Sequence, residues 1–388
     1  MKKLKGSIRS KVTVTIFLLI LSGMSVFGFA AGDERYSEKE NRYLAIKPDL
    51  DSGNLLNGKY QEDYETYLAD KTIFRNKWIE LKTYIELASL KKDVNGVYFG
   101  KDNYLIARQD TDKFETENAD KNCKYLEEFV DNYKKNTDIC VMLVPNTSEI
   151  LKKKLPKYAY NFNETRYIND IYKKIGEDNT VDVNEILKAH KDEYLYYKTD
   201  HHWTTLGAYY AFTEYADKTG INIEKYTTKL VTDKFYGTMS SKANLEIEAD
   251  KVYIYEPDKE EEVSVRYNNS TELKDSLYEM SALDKKDKYS IFLGGNNPLV
   301  QITTNAENDR KVLVIKDSFA HCFIPFMISG FSKIDVVDLR YYNESIRKMI
   351  EEGGYTDILV LYNVGNFVED KNLSLIHISE PTRQEAIS

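Results

Sequence analysis

Two stretches of the chain have residue types and spacing that could do acyl chemistry. The first is Lys198-Thr199-Asp200-His201-His202-Trp203-Thr204, where two of the five histidines sit side by side after an aspartate. In an Asp-x-His pair the carboxylate can hold one imidazole nitrogen and fix the tautomer. The other nitrogen is then left as a general base near neutral pH. Such a base needs a nucleophile, and Val312-Leu313-Val314-Ile315-Lys316-Asp317-Ser318-Phe319 offers one. There a β-branched run stops at Asp-Ser, the pattern of a serine presented at the C-terminal edge of a buried strand. Phe323–Met327 reads as a helical run beyond it, which completes a strand, nucleophile, helix order.

The Asp-His-His-Trp motif supports three readings. One is a serine acyl-transfer site of the Ser/His/Asp type. Another is a metal site, since some phosphoesterases use an Asp-His-His triplet. Those enzymes also need further upstream aspartates and a glycine-rich histidine motif, neither of which is present, and His190 and His321 are a weak complement. The third is a polar turn that caps a helix, with Trp203 in the core. Ser318 tips the balance to the first, and no metal and no organic cofactor is implied.

The elements that must position these residues can be read in outline. Behind the motif, Thr204 and Thr205 suit a helix N-terminus, Leu206, Tyr210 and Thr213 share a face, and Gly220 suits its stop. Upstream, Asn57–Lys91 has helical periodicity, with Arg75 between two helices, and Val94–Ile106 reads as a hairpin. Helix then alternates with short apolar strand: Lys113–Lys135, Ile139–Val144, Glu164–Glu177, Val181–Val183, Glu185–Asp192. After a charged, alternating excursion at about 221–290, the rhythm resumes with Ile291–Asn297, Val312–Ile315, Ile334–Leu339 and Ile358–Leu361. That alternation predicts an α/β domain whose mostly parallel sheet is covered on both faces, with an inserted antiparallel β subdomain.

Composition excludes some classes. The 388 residues carry a formal charge of −9, and Lys2, Lys3, Lys5, Arg9 and Lys11 lie in a first thirty residues without an acid. The remaining 49 Lys and Arg against 63 Asp and Glu leave the body at −14, a poor binder of nucleic acid or anionic lipid. Val12–Phe29, eighteen uncharged residues behind that basic start, predicts export, by a signal peptide cleaved near Gly28-Phe29-Ala30 or an uncleaved membrane anchor. Cys123, Cys140 and Cys322 fit no zinc site; Cys140 and Cys322, in apolar runs, read as buried thiols, with a Cys123–Cys140 disulfide as the alternative after export. Leu373 to Arg383 reads as the translation of a transposon-based sequencing adapter, so 373–388 is expected to be non-native, His377 included.

Together the two chemical stretches resemble the DHHW family, a branch of the SGNH-hydrolase-like proteins related to the alginate O-acetyltransferases AlgJ and AlgX. The resemblance runs through Glu40-Asn41-Arg42, Asp70 to Arg75, Val94 to Lys101, the Asp-His-His-Trp motif and Phe235-Tyr236-Gly237. It continues through Phe292 to Pro298, Lys316-Asp317-Ser318 and Asp338 to Tyr342. It implies a three-layer, flavodoxin-like SGNH-hydrolase fold over 113–372, with 1–31 as leader or anchor and 32–112 as linker, helices and hairpin. It implies Ser318 as nucleophile, His202 as base, Asp200 as its orienter and His201 as a neighbour. Lys316 stands where the family's Gly-Asp-Ser block has glycine, and the block that supplies an asparagine donor is not recognisable. Asn296, Asn297 and Asn363 are candidates for that donor, and Arg340, Tyr341 and His201 for contacts with substrate or oxyanion. The implied activity is serine-dependent O-acetyl transfer or removal on a cell-envelope or extracellular polysaccharide, with a membrane acyl-donor partner possible and no nucleic acid. The alternative is a non-catalytic carbohydrate-binding or assembly protein of the envelope.

Overall fold

Six short runs of apolar and β-branched residues make the main sheet of the computed structural model, which describes residues 8–30, 35–37, 39, 42–259 and 262–376. In chain order they are β1 (Asp138–Val144), β2 (Val263–Tyr267), β3 (Leu299–Thr304), β4 (Lys311–Lys316), β5 (Lys333–Val337) and β6 (Asp357–Asn363). The spatial order is β1-β6-β4-β5-β3-β2. β1, β6, β4 and β5 run parallel, whereas β3 and β2 join antiparallel at one side. Alternate residues of each strand point to opposite faces, and both faces are dry. Met142, Val314, Leu361 and Val336 face one core, with helix α3 (Thr205–Thr219). Leu143, Ile315, Val360 and Val337 face the other, with α1 (Glu117–Tyr133), α2 (Glu164–Ile175), α4 (Ile346–Gly353) and α5 (Val364–Glu369). This is the three-layer, mostly parallel α/β architecture expected from the alternation of elements.

Two units can be distinguished, Met1–Lys91 with Ser241–Leu245, and Lys92–Ser240 with Glu246–Ser388. In the first, the described elements are the helices Ile8–Ala30, Ser52–Leu56, Lys59–Asp70 and Arg75–Ala88, and a two-residue strand pair. There Asp70 gathers Arg42 at 2.5 Å, Arg75 at 3.2 Å and the Ala45 N–H at 2.8 Å. Among the described residues no helix is long and apolar enough to cross a membrane. The second unit holds the sheet and everything that follows.

Several expectations are corrected. The cysteines are free. Cys140 points into the core on the α3 side of the sheet and Cys123 packs on the other side, so the sheet separates them. Ile291–Asn297 is a 3-10 turn and a loop with Leu293, Gly294 and Gly295 at positive φ, and the strand begins only at Leu299. Val181–Val183 is not a strand; only a single bridge, Thr180 to Val141, and the bond from the Val181 N–H to the Val141 carbonyl join this stretch to the sheet. Phe323–Met327 is a turn residue followed by the short 3-10 turn Ile324–Met327, with Pro325 in its first positions, rather than a regular helix. In the 221–290 excursion, Tyr226–Phe235 and Asp250–Pro257 form a separate antiparallel ribbon, while Val263–Tyr267 adds to the main sheet. Glu40 and Asn41 lie outside the described residues, as do 377–388, whereas Leu373 and Ile376 are buried in a 3-10 turn.

The caps of α3 are as expected: Thr204 Oγ1 accepts from the Gly207 N–H, and Gly220 ends the helix at φ 69°. Its buried face is different. Ala208, Ala211, Phe212 and Tyr215 turn inward, and Leu206, Tyr210 and Thr213 lie at the margin. Phe212 stacks on Phe326 at 5.6 Å and meets Phe323 edge-on at 5.8 Å. Truncating Phe212 to alanine is therefore expected to cost about 3–5 kcal/mol in denaturant unfolding. Thr213→Ala should stay within about 0.5 kcal/mol of the parent, and equal effects would place the face where the sequence pattern put it.

Candidate active site

β4 ends at Lys316, and Asp317 turns the chain. Its Oδ1 accepts from the Phe319 N–H at 2.9 Å, capping the 3-10 turn Ser318–Cys322. Its Oδ2 accepts from the Asn363 N–H at 2.9 Å and from Asn366 Nδ2 at 2.8 Å, which ties the ends of β4 and β6 together. Asp317 is thus a structural clamp that holds Ser318 at the C-terminal edge of the sheet, where open α/β sheets place their sites. The Ser318 N–H opens the turn and finds no acceptor among the described residues.

Ser318 Oγ lies 2.7 Å from His202 Nε2, and His202 Nδ1 lies 2.5 Å from Asp200 Oδ1. The three side chains from two distant stretches form one hydrogen-bonded line. A carboxylate only accepts, so His202 donates through Nδ1–H, and its Nε2 accepts the serine proton. Tyr289 stacks on His202 with centroids 3.9 Å apart and planes 9° from parallel, and its hydroxyl donates to the Ser318 carbonyl at 3.0 Å. Trp203 donates from Nε1 to the Phe319 carbonyl at 2.8 Å. The motif's tryptophan thereby links the histidine loop to the serine turn from within the core.

Asp200 is 3% exposed and has two further donors on Oδ2, the Thr238 N–H at 2.8 Å and the Thr238 hydroxyl at 2.9 Å. Burial by itself would raise its carboxyl, but the imidazoles of His201 and His202 and their hydrogen bonds hold it well below the usual carboxylate range. A Cβ on Gly237 would overlap the Asp200 side chain, so the loop passes too close for any other residue. The loop before Asp200 hangs on a second buried carboxylate. Asp250 accepts from the Lys198 N–H at 2.7 Å, the Thr199 N–H at 2.7 Å, the Thr199 hydroxyl at 2.5 Å and the Tyr194 hydroxyl. The predicted hairpin contributes here too, since the Leu105 N–H donates to the Lys198 carbonyl at 2.7 Å.

Burial, and then the neighbouring His201, bring His202 down to about 4, against the upward pull of Asp200. It is a neutral acceptor at neutral pH. His201 shares the Asp200 loop, with Nδ1 2.6 Å from Thr238 Oγ1. Asp200, His201 and His202 each offer a ligand atom within 4.8 Å of the others, so they are the residues that could hold a metal ion. An ion there would have to displace the hydrogen bonds from His202 and Thr238 to Asp200.

Beside Ser318, Lys316 is 1% exposed, and its Nζ reaches Asp338 Oδ2 at 3.0 Å and His321 Nε2 at 2.7 Å. Burial lowers the Lys316 ammonium, and Asp338 opposes this. Burial also holds His321 well below the ordinary imidazole value, with the Lys316 charge acting in the same direction. Asp338, just beyond β5, grips Arg340 with both oxygens, at 2.8 and 2.6 Å. Arg340 lies over the ring of the half-exposed Tyr341 at 5.4 Å.

Of the asparagine candidates, Asn363 and Asn297 spend their amides on backbone groups, whereas Asn296 lies beside Arg340. Asn363 caps α5 with its Oδ1 and donates to the Val144 carbonyl. Asn297 donates to the Leu293 and Gly295 carbonyls and accepts from Asn268. Asn296 accepts from Arg340 at 3.4 Å. His190 pairs with Glu193 and stacks on Tyr210 away from this cluster. Sequence reasoning did not single out Thr238, Asp250, Asp338 or Tyr289 individually. Only the Phe235-Tyr236-Gly237 block and the run beginning at Asp338 marked those neighbourhoods.

No curated protein matches the chain. Among solved structures it is similar to a DHHW family protein from Eubacterium siraeum, at 26% identity and TM-score 0.61 over 73% of this chain and 95% of that one. It is also similar to Bacillus cereus PatB1 with a sulfonyl adduct, at 21% identity and TM-score 0.58 over 71% and 96%. A lower likeness, 12% identity and TM-score 0.48 over 72% and 94%, is to the O-acetyltransferase domain of Pseudomonas putida AlgJ. The model of the DHHW protein family matches residues 88–337, which include both the Asp-His-His-Trp loop and Ser318. The chain belongs to the DHHW family.

Proposed function

We propose that this chain is an exported serine acyl-transfer enzyme that adds or removes O-acetyl groups on a cell-envelope or extracellular polysaccharide. The observation that carries this reading is the unbroken line Asp200–His202–Ser318 at the C-terminal end of β4. Ser318 Oγ attacks the acyl carbonyl as its proton passes to His202 Nε2, and Asp200 stabilises the imidazolium through the Nδ1–H bond. The unpaired Ser318 N–H is an oxyanion donor, and Arg340, held by Asp338, is a candidate for a second. As the tetrahedral adduct collapses, His202 returns the proton to the leaving oxygen, and an acyl serine remains. Attack by a hydroxyl of the acceptor, or by water, runs the same proton path again and releases Ser318. The acetyl group and the glycan come from the resemblance of the residue blocks to the O-acetyltransferases. Export rests on the basic, then apolar, N-terminus, and fractionation of the source cells is expected to find the body outside the cytoplasmic membrane. Full-length protein mostly in the cytosol would reject export.

Sulfonyl fluorides are the natural probe, because they trap activated hydroxyls. The parent protein should gain one sulfonyl group at Ser318, and Ser318→Ala should gain none. On an acetyl ester, Ser318→Ala and His202→Ala should lose on the order of a millionfold in turnover, and Asp200→Asn about ten-thousandfold. Gly237→Ala removes no functional group, yet it should cost about a hundredfold by displacing Asp200, with the circular dichroism of the parent. A parent that is neither labelled nor active would favour the non-catalytic carbohydrate-binding alternative.

The active form of the base is neutral imidazole, which is lost as pH falls through the folded pKa. With His202 at about 4, kcat/KM should stay level down to about pH 5 and drop below it. An acid limb at 6.5 or higher would mean that His202 is far better solvated than its burial implies.

A further inference from the structure

His201 is not only a neighbour of the base. Thr238 has one hydroxyl proton and donates it to Asp200 Oδ2, because a carboxylate cannot donate in return. Its oxygen must therefore accept from His201, so the hydrogen-bond network assigns the His201 proton to Nδ1. That is the tautomer of His202, fixed by the same aspartate: the two Nδ1 atoms lie 3.5 and 2.5 Å from Asp200 Oδ1. The two rings are 3.8 Å apart. Both turn Nδ1 to Asp200 and Nε2 away from it. His202 Nε2 faces Ser318, whereas His201 Nε2 has no partner among the described residues, on a side chain that is 29% exposed. The other face of His202 is closed by Tyr289. A molecule seated at His202 Nε2 thus has beside it, on one side only, the adjoining His201 ring with its unpartnered acceptor.

We propose that His201 Nε2 accepts a hydrogen bond from the hydroxyl next to the one that reacts, so that the site selects vicinal diols, as on a sugar ring, over isolated alcohols and water. The proposal rests on the serine acyl-transfer reading. In the transfer step the first hydroxyl gives its proton to His202 Nε2 and bonds to the acyl carbon. The bond between the acyl carbon and Ser318 Oγ breaks, and Oγ recovers that proton from His202. His201 takes no proton in this sequence; it orients the acceptor through the second O–H.

The test uses acetyl transfer from p-nitrophenyl acetate to cyclohexanol and to cis- and trans-cyclohexane-1,2-diol, with the monoester measured by mass spectrometry. The parent should acetylate one of the diols about tenfold or more faster than cyclohexanol, the worth of one hydrogen bond and well beyond the factor of two from having two hydroxyls. His201→Ala should bring that ratio to about two, and His201→Gln, whose amide oxygen also accepts, should recover part of it. Thr238→Val, which releases the tautomer, should lower the ratio with His201 still in place. A parent ratio near two, or one that His201→Ala leaves unchanged, overturns the proposal. So does a uniform loss of hydrolysis, sulfonyl labelling and transfer in His201→Ala, which would make the residue structural. If Ser318 of the parent takes no label and forms no monoester, the acyl-transfer reading fails and this one with it. Labelling without diol preference sinks the diol proposal alone.

Discussion

A buried carboxylate is expensive unless every lone pair is answered, and Asp200 sets that demand for the whole site. Its answers come from three places: the backbone and ring of His202 two residues on, the Thr238 N–H and hydroxyl, and the more distant His201. Because Thr238 is 38 residues away, the ribbon loop that carries it must close against the motif before the carboxylate is satisfied. The close passage at Gly237 and the Asp250 anchor under Lys198 and Thr199 follow from the same demand. Fixing Asp200 fixes His202, and stacking on Tyr289 leaves that ring one orientation, with Nε2 on Ser318.

A second set of charges lies on the other side of the serine turn, and its logic is different. Lys316 occupies a position at the end of β4 where a glycine would leave space, and its ammonium is fully buried. One anion, Asp338, serves two cations, Lys316 at 3.0 Å and Arg340 at 2.6 Å. The neutral His321 takes a further Lys316 proton and leaves its own Nδ1 buried without a partner. Asp317, next in the chain after Lys316, is a second buried carboxylate whose charge acts on both Lys316 and Arg340. The departure from glycine thus brings a charge as well as bulk beside the serine turn.

The sequence made visible what is periodic or local. Apolar runs located β1, β4, β5 and β6, and the caps of α3 were readable in Thr204 and Gly220, because each depends on a few adjacent residues. β3, Leu-Val-Gln-Ile-Thr-Thr, was passed over because its polar half looks like a loop until β2 and β5 pair on either side of it. The helical face of α3 was misjudged because small residues, Gly207, Ala208 and Ala211, give little apolar signal yet allow the closest packing. Ser318, His202 and Asp200 were named from two short blocks and a family resemblance, and the fold brings those side chains into contact. What could not be read was the support around them. Thr238, Asp250 and Tyr289 sit in the stretch whose charged alternation suggested a detached excursion. A polar residue that accepts or donates across 29 to 52 positions leaves no local pattern behind.

The excursion is therefore better understood as part of the site than as an addition to the fold. β4, β6 and Asp317 form the scaffold of the serine turn through contacts of their own, while the excursion adds β2 to the edge of the sheet. The scaffold alone would present a serine with no oriented base. The ribbon loop supplies the hydroxyl that assigns the His201 tautomer and half of the donors that keep Asp200 ionised. Tyr289, at the far end of the same stretch, covers one face of His202 and holds the Ser318 carbonyl. One segment thus reaches Asp200, His201, His202 and Ser318 together. Variation of substrate within such a framework would be concentrated in this segment, because the strands beneath can stay unchanged while its loops are redrawn.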